Sequence, residues 1–418
     1  MSPKSTYSPT EPPAGPIRPW SSLWIRDYRL IFITILCGSV SNHMRSVASL
    51  YQVYQLSGSS VQLGLAGFFQ ALPAIVFGLF GGVLADSYNR KKLIALTNAL
   101  NVVPGLALAV LTLTGTVEVW HINGLNILAG ALQVLGGPAR QAIVPSVIPP
   151  SHLLNAVTIT TLLMQGAQLS APVIAGFVID FFGVATSYLV DAALPIPSVI
   201  AALRIGASGQ PQGERRRIGW RSLLEGFEFL WHTRIILSLF LLDFFAVLFG
   251  FFRPILPIFA EEIYQVGARG LGMLYAAPAI GAVIGSGLLL GFGDIKRKGA
   301  VAVIATLAFA LSLGLLGLSR WFWMGLIAVG LLGIGDAISV AMRRTVVQVL
   351  APDDMRGRAT SFLTVFAQTT NATGAVIAGA GAALIGAPNA ALIGCVLCTL
   401  TVFATCWAIP QLWSYRSE

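Results

Sequence analysis

Five charged side chains, Arg45, Asp191, Asp243, Arg253 and Asp336, stand inside long apolar runs of the chain. A charge at the middle of a lipid bilayer costs about 2.5 to 3.5 kcal/mol on insertion scales, so such residues must face one another or a wet cavity. Carboxylates in that setting suit proton relay, and arginines suit anionic ligands. Amides and hydroxyls accompany them at helical spacing. Asn42, Arg45, Ser49 and Gln52 form one stripe, Asn123, Asn126, Gly130 and Gln133 a second, and Thr158, Thr161, Gln165, Gln168 and Pro172 a third. Asp336, Ser339 and Arg343 share a face, as do Ser361, Thr364, Gln368 and Asn371, while Asp243 and Arg253 lie on one segment. Hydrogen bonding between helices is the competing role for the amide and hydroxyl stripes. His43 sits beside Asn42 and would titrate near neutral pH, although a lone intramembrane histidine more often serves packing.

Other chemistries find little support. Cys395 and Cys398 have CxxC spacing, but the electropositive surroundings or further ligands of a redox or zinc site are missing nearby, so helix packing is the expected role. The four histidines are scattered, and no residues pair a nucleophile with a base. The chain is therefore not expected to be an enzyme, and neither metal nor cofactor is expected.

The elements that position these residues follow from composition. Of 418 residues, 56% are hydrophobic and only 10% charged, with a mean hydropathy of +0.78. That is far too apolar for a water-soluble domain. A membrane span takes about 20 mainly apolar residues, and twelve such runs are expected at 29–54, 62–83, 92–115, 120–140, 155–180, 184–204, 235–259, 270–293, 299–318, 321–342, 359–384 and 388–409. The expected organisation is a disordered cytoplasmic tail (1–28), a six-helix half (29–204), a polar linker with an amphipathic helix on the membrane surface (205–234), a second six-helix half (235–409) and a cytoplasmic tail (410–418).

Lys and Arg concentrate on the cytoplasmic side of membranes. With both termini inside, 22 of the 26 basic residues fall in cytoplasmic segments. The net charge of +9 is thus a topology signal, and no nucleic-acid partner is expected. The halves also repeat. Asp86 with Arg90, Lys91 and Lys92 closes the second span, and Asp294 with Lys296, Arg297 and Lys298 closes the eighth, 208 residues later. Arg140 at the end of the fourth span matches Arg343 and Arg344 at the end of the tenth. Parallel repeats about the membrane normal are one way of building an alternating-access machine.

The run Gly81-Gly82-Val83-Leu84-Ala85-Asp86-Ser87-Tyr88-Asn89-Arg90-Lys91-Lys92 resembles the signature loop of the major facilitator superfamily. Asn89 stands where that pattern has glycine, a mild change if the backbone there is left-handed. Gln55-Leu56-Ser57-Gly58-Ser59, Gly137-Pro138-Ala139-Arg140-Gln141-Ala142, Asn155-Ala156-Val157 and Arg356-Gly357-Arg358 resemble the secretion-effector branch, which includes enterobactin-type siderophore exporters and macrolide efflux proteins. The antiporter signature of the fifth helix is present only in worn form, as Gly166, Ser170, Ala171 and Pro172. The resemblance implies an all-α, twelve-helix bundle in a bacterial inner membrane that acts as a monomer. It implies proton-coupled export of a small amphipathic molecule, with uptake by the same fold as the alternative. In that fold the first, fourth, seventh and tenth helices line the cavity, which assigns Asn42, Arg45, Gln133, Asp243, Arg253 and Asp336 to it. Relatives in this branch carry an acid near the position of Asn42, so Asp243 and Asp336 become the proton-coupling candidates. Gly82, Asp86, Arg90, Lys91, Lys92, Arg140, Asp294, Arg343 and Arg344 would form the gating set.

Overall fold

A computed structural model of the chain describes residues 19–207, 209–210, 234–293, 295–350 and 352–414. The described chain is helical throughout, without strands. Six membrane helices precede the linker: α1 (Arg26–Ser57), α2 (Ser60–Ser87), α3 (Arg90–Leu113), α4 (Val119–Val147), α5 (Leu153–Phe182) and α6 (Val184–Arg204). Six follow it: α7 (Arg234–Gly250, resuming in short turns to Ile263), α8 (Gly267–Phe292), α9 (Lys298–Leu318), α10 (Phe322–Leu350), α11 (Asp353–Ile385) and α12 (Ala387–Ala408). Among the described residues, eleven of these segments are long and apolar enough to cross a bilayer. The twelfth, α11, has 33 residues, ample length for a span, but starts on the polar run Asp353-Asp354-Met355-Arg356.

Chain geometry explains the breaks. Gly58, Gly183 and Gly386 leave the right-handed region with φ of 57°, 82° and 83° at the tight turns after α1, α5 and α11, where a Cβ would be strained. In each half the second and third helices pack on the fourth, so α2, α3 and α4 are echoed by α8, α9 and α10. The halves meet through two helix pairs, α2 with α11 and α5 with α8. Both pairs rely on small residues. A Cβ on Gly64 would stand 2.7 Å from the Ala375 carbonyl oxygen and one on Gly176 2.6 Å from that of Ala268, so only glycine permits the approach. Outward-facing Leu100, Leu106, Val110, Val283, Ile284 and Leu288 leave the bundle with an apolar surface of the kind lipid covers.

Several boundaries differ from expectation. Ser21–Trp24 form a 3-10 turn inside the stretch expected to be a disordered tail. Polar contacts hold that turn: the Ser22 amide donates to Asn155 Oδ1 at 3.1 Å, and Asn155 Nδ2 donates to the Pro19 carbonyl at 2.8 Å. α4 and α10 run on to Val147 and Leu350, so Arg140, Arg343 and Arg344 sit within helices and not at their ends. Helical hydrogen bonding continues where hydropathy fades, because a helix can extend beyond the bilayer. The expected amphipathic linker helix, Asp294, and the side chains of Asp86, Ser361 and Thr364 lie outside the described residues, while Gly82 falls within α2.

Candidate functional site

α7 stops at Gly250, and Phe251 and Phe252 are non-helical before a 3-10 turn begins at Arg253. The break is packed: a Cβ on Gly250 would stand 2.6 Å from the Phe309 ring, and one on Gly374 2.9 Å from Phe251 Cβ. Irregular backbone at membrane depth is tolerated only where protein or a wet cavity satisfies it. A cavity of about 260 Å³ does lie here. Its polar lining is Arg253 from α7, Asp336 from α10, Asn371 from α11 and Gln168 from α5 of the other half, set among Phe251, Phe252, Phe309 and Leu332. Asp336 is open to this space. Asn371 donates to Gln368 at 3.3 Å, which orients its amide along α11.

A smaller cavity continues from the first. It shares Val247, Phe309 and Asp336 and adds Asp243, Thr306, Ser339 and Arg343. Asp243 forms an ion pair with Arg343 across α7 and α10. Asp336 is within the electrostatic reach of Arg343, Asp243 and Arg253, yet it makes no ion pair among the described residues. Four charges are therefore strung along one path in the second half: Arg253, Asp336, and the pair Asp243 and Arg343. Arg343 was expected in the gating set; its place within α10, beside Asp243, puts it in the cavity set. Arg344, the next residue round the helix, is exposed.

Arg45, expected in the cavity, lies away from it. Its guanidinium is buried inside the first half, where Nε and Nη2 donate to the two Asp191 carboxylate oxygens at 2.7 and 3.0 Å and Nη1 donates to Asn101 Oδ1 at 3.0 Å. Ser41 completes the group by donating to Asp191 at 2.5 Å. The face of α1 that carries Ser41, Arg45 and Ser49 turns toward α3, α4 and α6, whereas Asn42 is exposed. Gln133 is not among the cavity-lining residues. Its Oε1 accepts from Arg140 at 2.6 Å, and Arg140, also bonded to Asn98 at 3.3 Å, is buried against Gly38 of α1. Gly38 leaves room for the guanidinium, a clue visible in sequence only once the neighbour is known.

The α1/α2 end of the bundle is closed by contacts between the halves. Arg269 of α8 pairs with Asp180 of α5 at 2.5 Å and lies 5.1 and 4.8 Å from the Phe177 and Phe181 ring centres. Tyr54 of α1 donates to Glu262 at the end of the α7 segment. In sequence these residues fall into no motif, and Arg269 differs only in being one of the few basic residues outside the segments expected to be cytoplasmic. At the α2/α3 end the described polar ties stay within the first half: Arg90 donates to the Ala142 carbonyl at 3.0 Å and Lys91 to that of Ile205 at 2.5 Å, while Lys92 is exposed. Asp27 accepts from the Gly206 and Ala207 amides at 3.0 Å each, strapping the start of the linker to α1. Asn89 is extended, with φ of −62° and ψ of 113°, and not left-handed; it caps α3 by accepting from the Lys92 amide at 3.2 Å.

The sequence profile of the transmembrane secretion effectors matches residues 17–414. The chain belongs to that family of major facilitator transporters. It is 29% identical over 352 residues to the enterobactin exporter EntS of Shigella dysenteriae serotype 1, covering 84% of each chain, and equally so to EntS of Escherichia coli O81. Solved structures share the fold. The nucleoside transporter NupG superposes with a TM-score of 0.73 at 12% identity, over 93% of this chain and 99% of that one. A bacterial homologue of the lysosomal transporter Spinster, in an inward-facing unoccupied conformation, gives 0.71 at 14% identity, over 94% and 98%. The protein is thus a multi-pass membrane transporter and not an enzyme.

Proposed function

We propose that this transporter is a proton-coupled exporter of a small amphipathic molecule, a siderophore or drug, in a bacterial inner membrane. The observation that carries the reading is the cavity at the α7 break, where Asp336 and Arg253 share one aromatic-walled space without an ion pair between them. A charged substrate would compete for Arg253, and a proton would compete for Asp336, so the two occupancies are electrostatically linked. The Asp243 and Arg343 pair places a second carboxylate beside Asp336 in the adjoining cavity. The likeness to enterobactin exporters supports export.

With both termini cytoplasmic, as the distribution of Lys and Arg favours, the closed α1/α2 end faces outward. Rocking of the halves about the α2/α11 and α5/α8 pairs would then alternate access, with a single chain sufficient. The test uses purified protein in liposomes, a pH-sensitive dye inside, and enterobactin or a cationic dye as cargo. Export predicts cargo-driven proton movement that Asp336→Asn removes, and uptake into inverted but not right-side-out vesicles. Cargo movement indifferent to both pH and Asp336→Asn would refute the coupling.

A further inference from the structure

A second, wholly apolar crevice of about 90 Å³ lies between α7, α11 and α12, lined among others by Phe249, Leu313, Gly381, Ala390 and Gly394. It shares Gly250 and Phe251 with the charged cavity. Its rim residues Ile377, Ile385 and Ile393 are 40, 40 and 48% exposed on the flank of the bundle, and no polar side chain lines it. The two spaces therefore meet at the point where α7 unwinds, with Phe251 standing between them. Small residues on α11 and α12 keep the crevice open: a Cβ added at Gly381 meets nothing closer than the Ala390 Cβ at 3.5 Å.

We infer that the cavity and the crevice form one bipartite substrate site, for amphiphiles that place a compact charged head between Arg253 and Asp336 and an alkyl or aryl arm past Phe251 into the crevice. The inference rests on the transport reading and names the substrate class of that site. Two observations separate it from an ordinary lipid-facing groove. The crevice shares Gly250 and Phe251 with the polar cavity, and Phe251 belongs to a segment outside the helical hydrogen bonding of α7. Burying an arm there gains hydrophobic free energy in proportion to its area, whereas the head alone would gain none of it.

The experiment is binding of n-alkyl carboxylates and n-alkylamines, two to ten carbons long, to the full chain in lipid nanodiscs, read by isothermal titration. In the native protein affinity rises about fourfold per methylene over the first carbons and then levels as the crevice fills. Gly381→Leu, which fills the crevice from α11, and Ala378→Leu, which does so one turn earlier, each flatten that rise. Arg253→Gln and Asp336→Asn lower affinity across the whole carboxylate or amine series while keeping its slope. A native series without chain-length dependence, or a slope unchanged in both filled variants, overturns the bipartite site. So does a slope that persists with affinity unaltered in Arg253→Gln and Asp336→Asn, because the crevice would then be holding chains, such as those of lipids, independently of the cavity. Proton-coupled cargo movement with any of these results would refute the site and leave the transport reading standing.

Discussion

Arg45 and Asp191 form a doubly bonded ion pair, 2.7 and 3.0 Å, at the centre of the first half, with the Asp191 side chain fully shielded. Gly105 makes the approach possible, since a Cβ there would stand 2.8 Å from Asp191 Oδ2. Removing one partner of such a pair leaves an uncompensated buried charge and costs about 3 to 5 kcal/mol. Asp191→Asn is therefore expected to lower the detergent-solubilised unfolding temperature sharply, while the double variant Arg45→Met with Asp191→Leu recovers most of the loss. Fluorescence-detected thermal unfolding measures both. A double variant as unstable as the single one would show that packing, and not charge, is what the pair supplies.

Asp243 and Asp336 are both carboxylates on the same path, but their partners differ. Asp243 is held by Arg343, whereas Asp336 is open to the cavity. Asp336→Asn is expected to cut proton-coupled cargo movement by tenfold or more, roughly 1.4 kcal/mol of lost coupling. Asp243→Asn frees Arg343 to approach Asp336, so the expected result is a shift of the transport pH profile to lower pH, because a nearby cation favours the charged carboxylate. Flux in liposomes across external pH distinguishes the two; identical profiles for both variants would mean that the two carboxylates play equivalent parts.

The twelve apolar segments and the two-half repeat were legible because hydropathy and charge are one-dimensional properties. Which neighbour a polar face meets was not. Asn42 and Arg45 belong to one stripe by spacing, yet they lie three residues apart on α1, about 60° round the helix. That angle is enough to send Asn42 to the exposed side and Arg45 into the bundle. Arg45 meets Asp191 of α6, a neighbour that spacing along α1 does not reveal. The α7 break escapes a hydropathy reading because Phe251 and Phe252 continue the apolar run, but it has a local cause: Pro254 lacks the N–H that would bond the Gly250 carbonyl, and its ring crowds that carbonyl, so the helix ends at Gly250. Arg253 and Asp336, from different helices, were grouped by family resemblance, and the structure brings them to one cavity.

The closed end of the bundle depends on glycine contact between α5 and α8. A Cβ at Gly272 would stand 2.4 Å from the Pro172 carbonyl oxygen and 3.1 Å from the Gly176 Cα. Gly272→Leu is expected to force the halves apart there, widening the distance between spin labels placed at Thr186 on α6 and Arg320 beyond α9. Arg269→Gln, which removes the Asp180 pair and both aromatic contacts, is expected to shift the same distribution less, since exposed pairs contribute about 0.2 to 1 kcal/mol. Unaltered distances in Gly272→Leu would mean that this seam does not set the state.

The α3 start gives a test of backbone reading at the family signature loop. Because Asn89 is extended and its side chain accepts from the Lys92 amide, its contribution is that of a helix cap. Asn89→Ala is then expected to cost about 1 kcal/mol, and Asn89→Ser or Asn89→Asp to retain most of the stability, because each keeps an acceptor at the cap. A left-handed backbone would give the opposite order: glycine would be tolerated best, and serine would be as costly as alanine. Thermal unfolding of the four variants, Asn89→Gly included, decides between them. Serine ranking with alanine would remove the cap, and with it the account of how the basic run that follows is fixed against the Ala142 and Ile205 carbonyls.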